Sequence, residues 1–191
     1  GTVSAADANI IAKAVNGKVT ATNIGADTAA ALVASLKDAK ATDALTLKVN
    51  GESAKASELN VLDGKPSEDV DVDVGVVISG NIADLTKVFA TSSGIETNGN
   101  AVTILGTVSA KDANAIAKAT VGIVTATIAA DTAAKLKTAL TDTDANVLNL
   151  TVNGAKADAG DLADLLAKTT EKITVTAKEI SGSLAEIKDV L

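Results

Sequence analysis

Three stretches of the chain gather side chains that could do chemistry. In TDTDANV (141–147), Asp142, Asp144 and Asn146 alternate as the first oxygen ligands of a calcium loop do. Such a loop continues with glycine and closes on glutamate. Here those places hold Val147 and Asn153, which excludes an EF-hand and leaves a weak calcium site or a solvated turn. In SEDVDVDVG (67–75), alternation puts Asp71 and Asp73 on one strand face, close enough to share a cation, with Glu68 and Asp69 just before them. A charged solvent face that discourages edge-to-edge pairing is the simpler expectation. Thr-x-Thr pairs at Thr20 and Thr22, Thr125 and Thr127, and Thr174 and Thr176 could form a flat hydroxyl array for ice, glycan or a protein ligand. Threonine is also a good strand former that tolerates water.

Most other chemistry is closed off by composition. The chain has no His and no Cys, so zinc and redox metals lose their usual ligands, and neither a catalytic triad nor a thiol nucleophile can be built. Arg is absent too, and with it the bidentate fork that favours phosphate and carboxylate. The net charge of −7 argues against nucleic acid, whose phosphates call for cationic partners. SGNIADL and SGSLAEI place small residues before a helix start but lack the Gly-Lys-Ser/Thr of a phosphate loop. Carboxylate pairs for glycoside cleavage are available among 24 acids, yet nothing marks one pair as special. No catalytic residue and no cofactor are expected, apart from the weak calcium candidates Asp71, Asp73, Asp142 and Asp144.

The elements that would position these residues are legible because the chain repeats itself. GTVSAADANIIAKA at Gly1 returns as GTVSAKDANAIAKA at Gly106, and KVTATNIGADTAAAL from Lys18 returns as IVTATIAADTAAKL from Ile123. LTLKVNG ending at Gly51 returns as LNLTVNG ending at Gly154, and ISGNIADLTKVF from Ile78 returns as ISGSLAEIKDVL from Ile180. The expected domains are a first long repeat, 1–106, of about four strand–helix units, and a second, 107–191, continuous with it and truncated. Both ends fall inside a repeat, as expected of a piece of a longer array.

Period-2 stretches predict strands at 18–24, 44–50, 70–78, 101–105, 123–128, 147–153 and 172–178. Their inward rows are Val19, Ala21, Ile24; Leu45, Leu47, Val49; Val70, Val72, Val74; Val124, Ala126, Ile128; Leu148, Leu150, Val152; and Ile173, Val175. Helical spacing joins Ile10, Ile11 and Ala14; Leu32, Val33 and Leu36; Leu59 and Leu62; and Ile82, Leu85 and Val88. In the second copy it joins Ile116, Ala117 and Thr120; Leu136 and Leu140; Leu162, Leu165 and Leu166; and Leu184, Ile187 and Leu191. Ser4, Asn81, Ser109 and Ser183, each followed three residues on by an acid, read as helix caps, with Asp27 and Asp131 capping alone. Gly17, Gly64, Gly94 and Gly122 read as helix stops, with Pro66 just after one of them.

Strand and helix alternating every 22–30 residues predict an α/β fold, a right-handed α/β solenoid with a parallel sheet. Two compact α/β repeat domains are the alternative. One unit buries about six aliphatic side chains, too little to offset the ordering of its own backbone, so the units must share faces. With one aromatic residue, Phe89, the interior has to be Ala, Val, Leu and Ile. No run of about 18 apolar residues is present, so no membrane span is expected.

The repeated TVSA-x-DAN-x-IAKA followed by G-x-VTAT-x-x-x-ADTAA-x-L, with LDGK (62–65) and ISGNIADL, resembles tandem repeats of very large secreted or cell-surface bacterial proteins, cyanobacterial ones among them. The resemblance implies an extracellular, adhesin-like or matrix role and carries no active site with it. This chain lacks the Gly-Gly-x-Gly-x-Asp calcium nonapeptides that such proteins often contain. The expected function is therefore a non-catalytic structural or adhesive repeat module of a surface layer, matrix or filament, with further copies of itself end to end as partners. A binding module that uses the Thr-rich sheet face is the alternative.

Overall fold

The computed structural model describes residues 1–65, 68–142, 144 and 146–190. The expectations for Pro66 and Leu191 lie outside them. The chain divides into two compact halves, Gly1–Val102 and Thr103–Leu191. The first half runs α1 (Ala5–Ala14), β1 (Thr20–Ala21), α2 (Ala29–Ser35), β2 (Ala44–Leu45), β3 (Leu47–Val49), β4 (Ser53–Lys55), α3 (Ala56–Asp63), β5 (Val70–Val72), β6 (Val77–Gly80), α4 (Ile82–Val88) and β7 (Ile95–Thr97). After β8 (Val102–Val108) come α5 (Ala110–Ala119), β9 (Val124–Ile128), α6 (Ala133–Ala139), β10 (Val147–Asn149), β11 (Thr151–Val152) and β12 (Lys156–Asp158). The chain then continues through α7 (Ala159–Leu166), β13 (Thr174–Val175), β14 (Glu179–Ser181) and α8 (Leu184–Val190). The fold is mixed α/β with parallel sheets.

In each half a strand pairs in parallel with one 22 to 25 residues further on. Thr125 lies level with Val147, and Val70 with Ile95. In the first half β3, β5 and β7 form one sheet, and β4 pairs with β6. In the second half β9 pairs with β10, β11 with β13, and β12 with β14. Successive helices touch: α1 with α2, α2 with α3 and α3 with α4; then α5 with α6, α6 with α7 and α7 with α8. Parallel neighbours need a crossover, and these helices supply it.

The repeating element is richer than one strand and one helix. β3, β4 and α3 follow one another, as do β5, β6 and α4, then β10 to β12 and α7, then β13, β14 and α8. The element is thus strand, turn, strand, helix. Gly51 and Gly154, at φ +102° and +107°, make the turn that re-aims the chain between the two strands. The predicted strand 44–50 divides at Thr46 and 147–153 divides at Leu150. β4 and β12 were not predicted, because SAK and KAD carry no β-branched row.

The interior is aliphatic. Leu47, Val49, Val70, Val72, Leu59, Leu62, Ile78 and Leu85 are wholly buried, each stabilising by about 1.5–3 kcal/mol. Several expected inward residues lie elsewhere. Val74 is 81% exposed, because the chain leaves β5 before it and Val76 is buried instead. Ile10 and Ile11 of α1 face solvent, and the alanines Ala8 and Ala12 pack inward. Ala21 and Ile173 are half-buried, Val175 is exposed, and α8 buries none of its residues.

Four expected caps form. Ser4 Oγ accepts from Asp7 N and donates to Asp7 Oδ2, a pattern that Ser109 and Asp112 repeat. Asn81 caps through Asp84 N, and Ser183 with Glu186 makes a reciprocal box. Asp27 and Asp131 are not the caps. Thr28 and Thr132 hold that place, and each Asp accepts the N–H of the Thr that follows it. Of the expected glycine stops, Gly64 does close α3, in a right-handed conformation, whereas Val15, Phe89 and Thr120 cap α1, α4 and α5 in place of Gly17, Gly94 and Gly122.

Candidate functional site

Strand register decides what each exposed row presents. In the β3–β5–β7 sheet, Lys48 lies level with Asp71, and Asp71 with Glu96. Lys48 Nζ stands 2.8 Å from Asp73 Oδ1 and 3.9 Å from Asp71 Oδ2. The cation these two acids share in this structure is therefore the ammonium of Lys48. Its pKa is raised, first by the hydrogen bond to Asp73 and then by that carboxylate's charge. All three side chains are more than a third exposed, so the pair adds little stability.

At Asp142 the loop is organised by amides. Asn146 is buried; its Oδ1 accepts Val124 N–H at 2.8 Å, and its Nδ2 donates to Asp142 Oδ2 and to Asp144 O. Asn114 Oδ1 accepts the N–H of Asp142, and Lys168 donates to the Asp142 carbonyl. Asp144 enters through its carbonyl and its side chain is exposed. Among the described residues, no group of three or more acidic, His or Cys side chains is placed to hold a metal ion.

All six candidate threonines are exposed, as expected. Register scatters them. Thr20 lies beside Ala44, Thr125 and Thr127 beside Val147 and Asn149, and Thr174 beside Thr151. Thr20, the Thr125–Thr127 pair and Thr174 lie in three different sheets, and Thr22 and Thr176 fall just past the ends of β1 and β13. Thr176 also spends its hydroxyl on Val152 O at 3.1 Å.

Two features escaped the sequence reading. The first is a buried polar clasp. Asp43, Asn100, Asn146 and Thr169 are the buried polar residues among those described, and each bonds backbone groups 21 to 27 residues earlier. Asp43 and Asn146 occupy the same place in the two repeats, which was the available signal. The second is a groove of about 350 Å³ lined by Leu162, Leu166, Lys172, Ile173, Val175 and Val190. It holds one charged side chain and lies beside β13. The signal there was Leu166, standing where the first repeat has Asp63.

Among the described residues no helix is long and apolar enough to cross a membrane. No protein-family model, curated protein or solved structure matches the chain.

Proposed function

We propose that this chain is a non-catalytic structural repeat module. In this reading each strand–turn–strand–helix element is one coil of a right-handed α/β solenoid. Copies of the long repeat continue one another end to end in an extracellular rod, surface layer or matrix with an adhesive role. Register supports the reading. Asp27, Val49, Val72 and Thr97 come level in turn, one per element, and every pairing between them is parallel. Asp131, Val152 and Val175 do the same in the second half. Elements that share faces in this way need neighbours for stability, and the same demand that folds a coil favours adding another. The dispersal of the threonines over several sheets favours the structural role over a flat hydroxyl surface.

Concatenating two, four and six copies of the chain and imaging them by electron microscopy tests the proposal. Rods of constant width that lengthen by about 5 Å per coil are expected. Particles that grow equally in all directions would end it.

A further inference from the structure

Asparagine is followed by glycine at four places: Asn16–Gly17, Asn50–Gly51, Asn98–Gly99 and Asn153–Gly154. Glycine has no Cβ to shield its backbone nitrogen, so that nitrogen can attack the side-chain carbonyl of the asparagine before it. The structure sets the four pairs apart.

The Asn98 pair is locked. Asn98 Nδ2 donates to Asp71 Oδ1 at 2.8 Å and to Val72 O at 2.9 Å, and Gly99 N–H donates to Thr97 O at 3.0 Å. The leaving amide and the attacking nitrogen are both committed. Asn50 and Asn153 are tied through the backbone, their N–H groups donating to Asp27 O and Asp131 O, each at 3.0 Å. Gly51 and Gly154 form turns whose flanking strands are all paired, β3 with β5, β4 with β6, β11 with β13 and β12 with β14. Rotating either asparagine into a ring would pull those strands out of register.

Asn16–Gly17 has none of this. Residues 13–18 are exposed, and a Cβ on Gly17 would meet nothing within 4 Å. Among the described residues neither the Asn16 side chain nor Gly17 N–H has a hydrogen-bond partner. The second repeat shows why. Its Gly122 N–H donates to Thr120 Oγ1 at 2.9 Å, and the first repeat has Val15, without a hydroxyl, at that place. The same comparison shows that this loop is open in the middle of the chain as well as near its start: Val121, at the place of Asn16, is 88% exposed.

We propose that Asn16 is a site of spontaneous modification, converting to aspartate and isoaspartate ahead of the other three pairs. The Gly17 nitrogen bonds to Asn16 Cγ, the Cγ–Nδ2 bond breaks, and ammonia leaves with the Gly17 proton. Water then opens the cyclic imide at either carbonyl. Both products add a negative charge to a chain already at −7. Isoaspartate also routes the main chain through the former side-chain methylene. That lengthens the link from α1 to β1 just before Val19, whose N–H Asp43 holds. The inference is independent of the repeat-module reading.

The test is incubation of the 191-residue chain in mildly alkaline buffer, with time points cut after lysine and read by liquid chromatography and mass spectrometry. The four pairs fall on four different lysine-to-lysine peptides. Asn16 reacts first in the folded chain, and Asn98 is about a hundredfold slower, since three hydrogen bonds must open before it can react. In concentrated urea the four rates converge. Val15→Thr supplies the hydroxyl that Thr120 provides in the second repeat and slows Asn16 about fivefold, an effect that vanishes in urea. Another pair reacting as fast as Asn16 in the folded chain, a rate order that persists in urea, or an Asn16 rate unchanged by Val15→Thr would overturn the proposal.

Discussion

The backbone N–H of Val19 donates to Asp43 Oδ1 at 2.8 Å, with Asp43 wholly buried. Its other oxygen accepts Lys40 N–H, also at 2.8 Å. One carboxylate thus ties its own loop to the strand 24 residues earlier. The second repeat makes the same tie with Asn146 and Val124. Asn146 has one acceptor oxygen, and its amide group donates instead, to Asp142 and Asp144.

That difference makes Asp43 testable in two grades. Asp43→Ala leaves two amide donors without partners, Val19 N–H buried and Lys40 N–H partly so, and should cost about 2–4 kcal/mol in urea unfolding, a fully buried orphaned group costing about 1–3 kcal/mol and the part-buried one about 1. Asp43→Asn keeps the Val19 bond but turns an NH₂ toward the Lys40 N–H, donor against donor. It should lose about half as much. Equal losses for the two variants would contradict the geometry.

At Gly80 adjoining elements approach too closely to admit a side chain without a shift. A Cβ built on it would lie 2.7 Å from Ala56 Cβ, the first residue of α3, and Gly182 meets Ala159 at 2.8 Å in the same way. Gly80→Ala should destabilise by about 1–3 kcal/mol through overpacking. Adding Ala56→Gly should restore part of that loss, giving a coupling energy of about 1 kcal/mol or more in a double-mutant cycle. Strictly additive losses would show that the contact does not govern the spacing.

Alternation and capping made the α/β alternation and most of the inward rows legible. They worked where side chains decide the outcome: Leu45, Leu47 and Val49 are all buried, and Ser4 and Ser109 cap as read. They failed where backbone decides. The turn at Gly51 and the division at Thr46 depend on dihedrals that period-2 patterning does not carry, so one expected strand is two. Alternation puts Lys48 on the outward row, between Leu47 and Val49, but pairing it with Asp71 and Asp73 needs the register, which places Lys48 beside Asp71. The clasp residues read as loop composition, because their hydrogen-bond partners are backbone N–H groups more than twenty residues away.

Lys48 also sets an expectation for calcium. Its ammonium bonds Asp73 and lies within ion-pair distance of Asp71, which leaves a divalent cation competing with a tethered charge. Millimolar calcium should leave the melting temperature of the chain unchanged. Lys48→Met removes the tethered charge and keeps the stem, so calcium should then raise the melting temperature measurably. Thr125→Val, on a row without acids, serves as the control that stays insensitive.

The pH profile follows from which groups are present. With no His, Cys or Tyr in the sequence, no side chain has an ordinary pKa between about pH 5 and pH 10, so thermal stability should be flat across that range. At the acid end Asp131 is held below its ordinary 3.8, first by the Thr132 N–H and then by Lys135. Its contribution is full above 3.8 and is lost as pH falls through its lower folded value. At the alkaline end Lys137 is held above its ordinary 10.5 by hydrogen bonds to Asp164 and then Asp161. That contribution is full below 10.5 and is lost only as pH rises through the higher folded value. Both groups face solvent, so each limb should be shallow and should flatten further in salt. Melting curves recorded every half pH unit check this. Asp131→Asn should reduce the acid slope alone and Lys137→Met the alkaline slope alone, whereas a transition near neutral pH in any of the three proteins would contradict it.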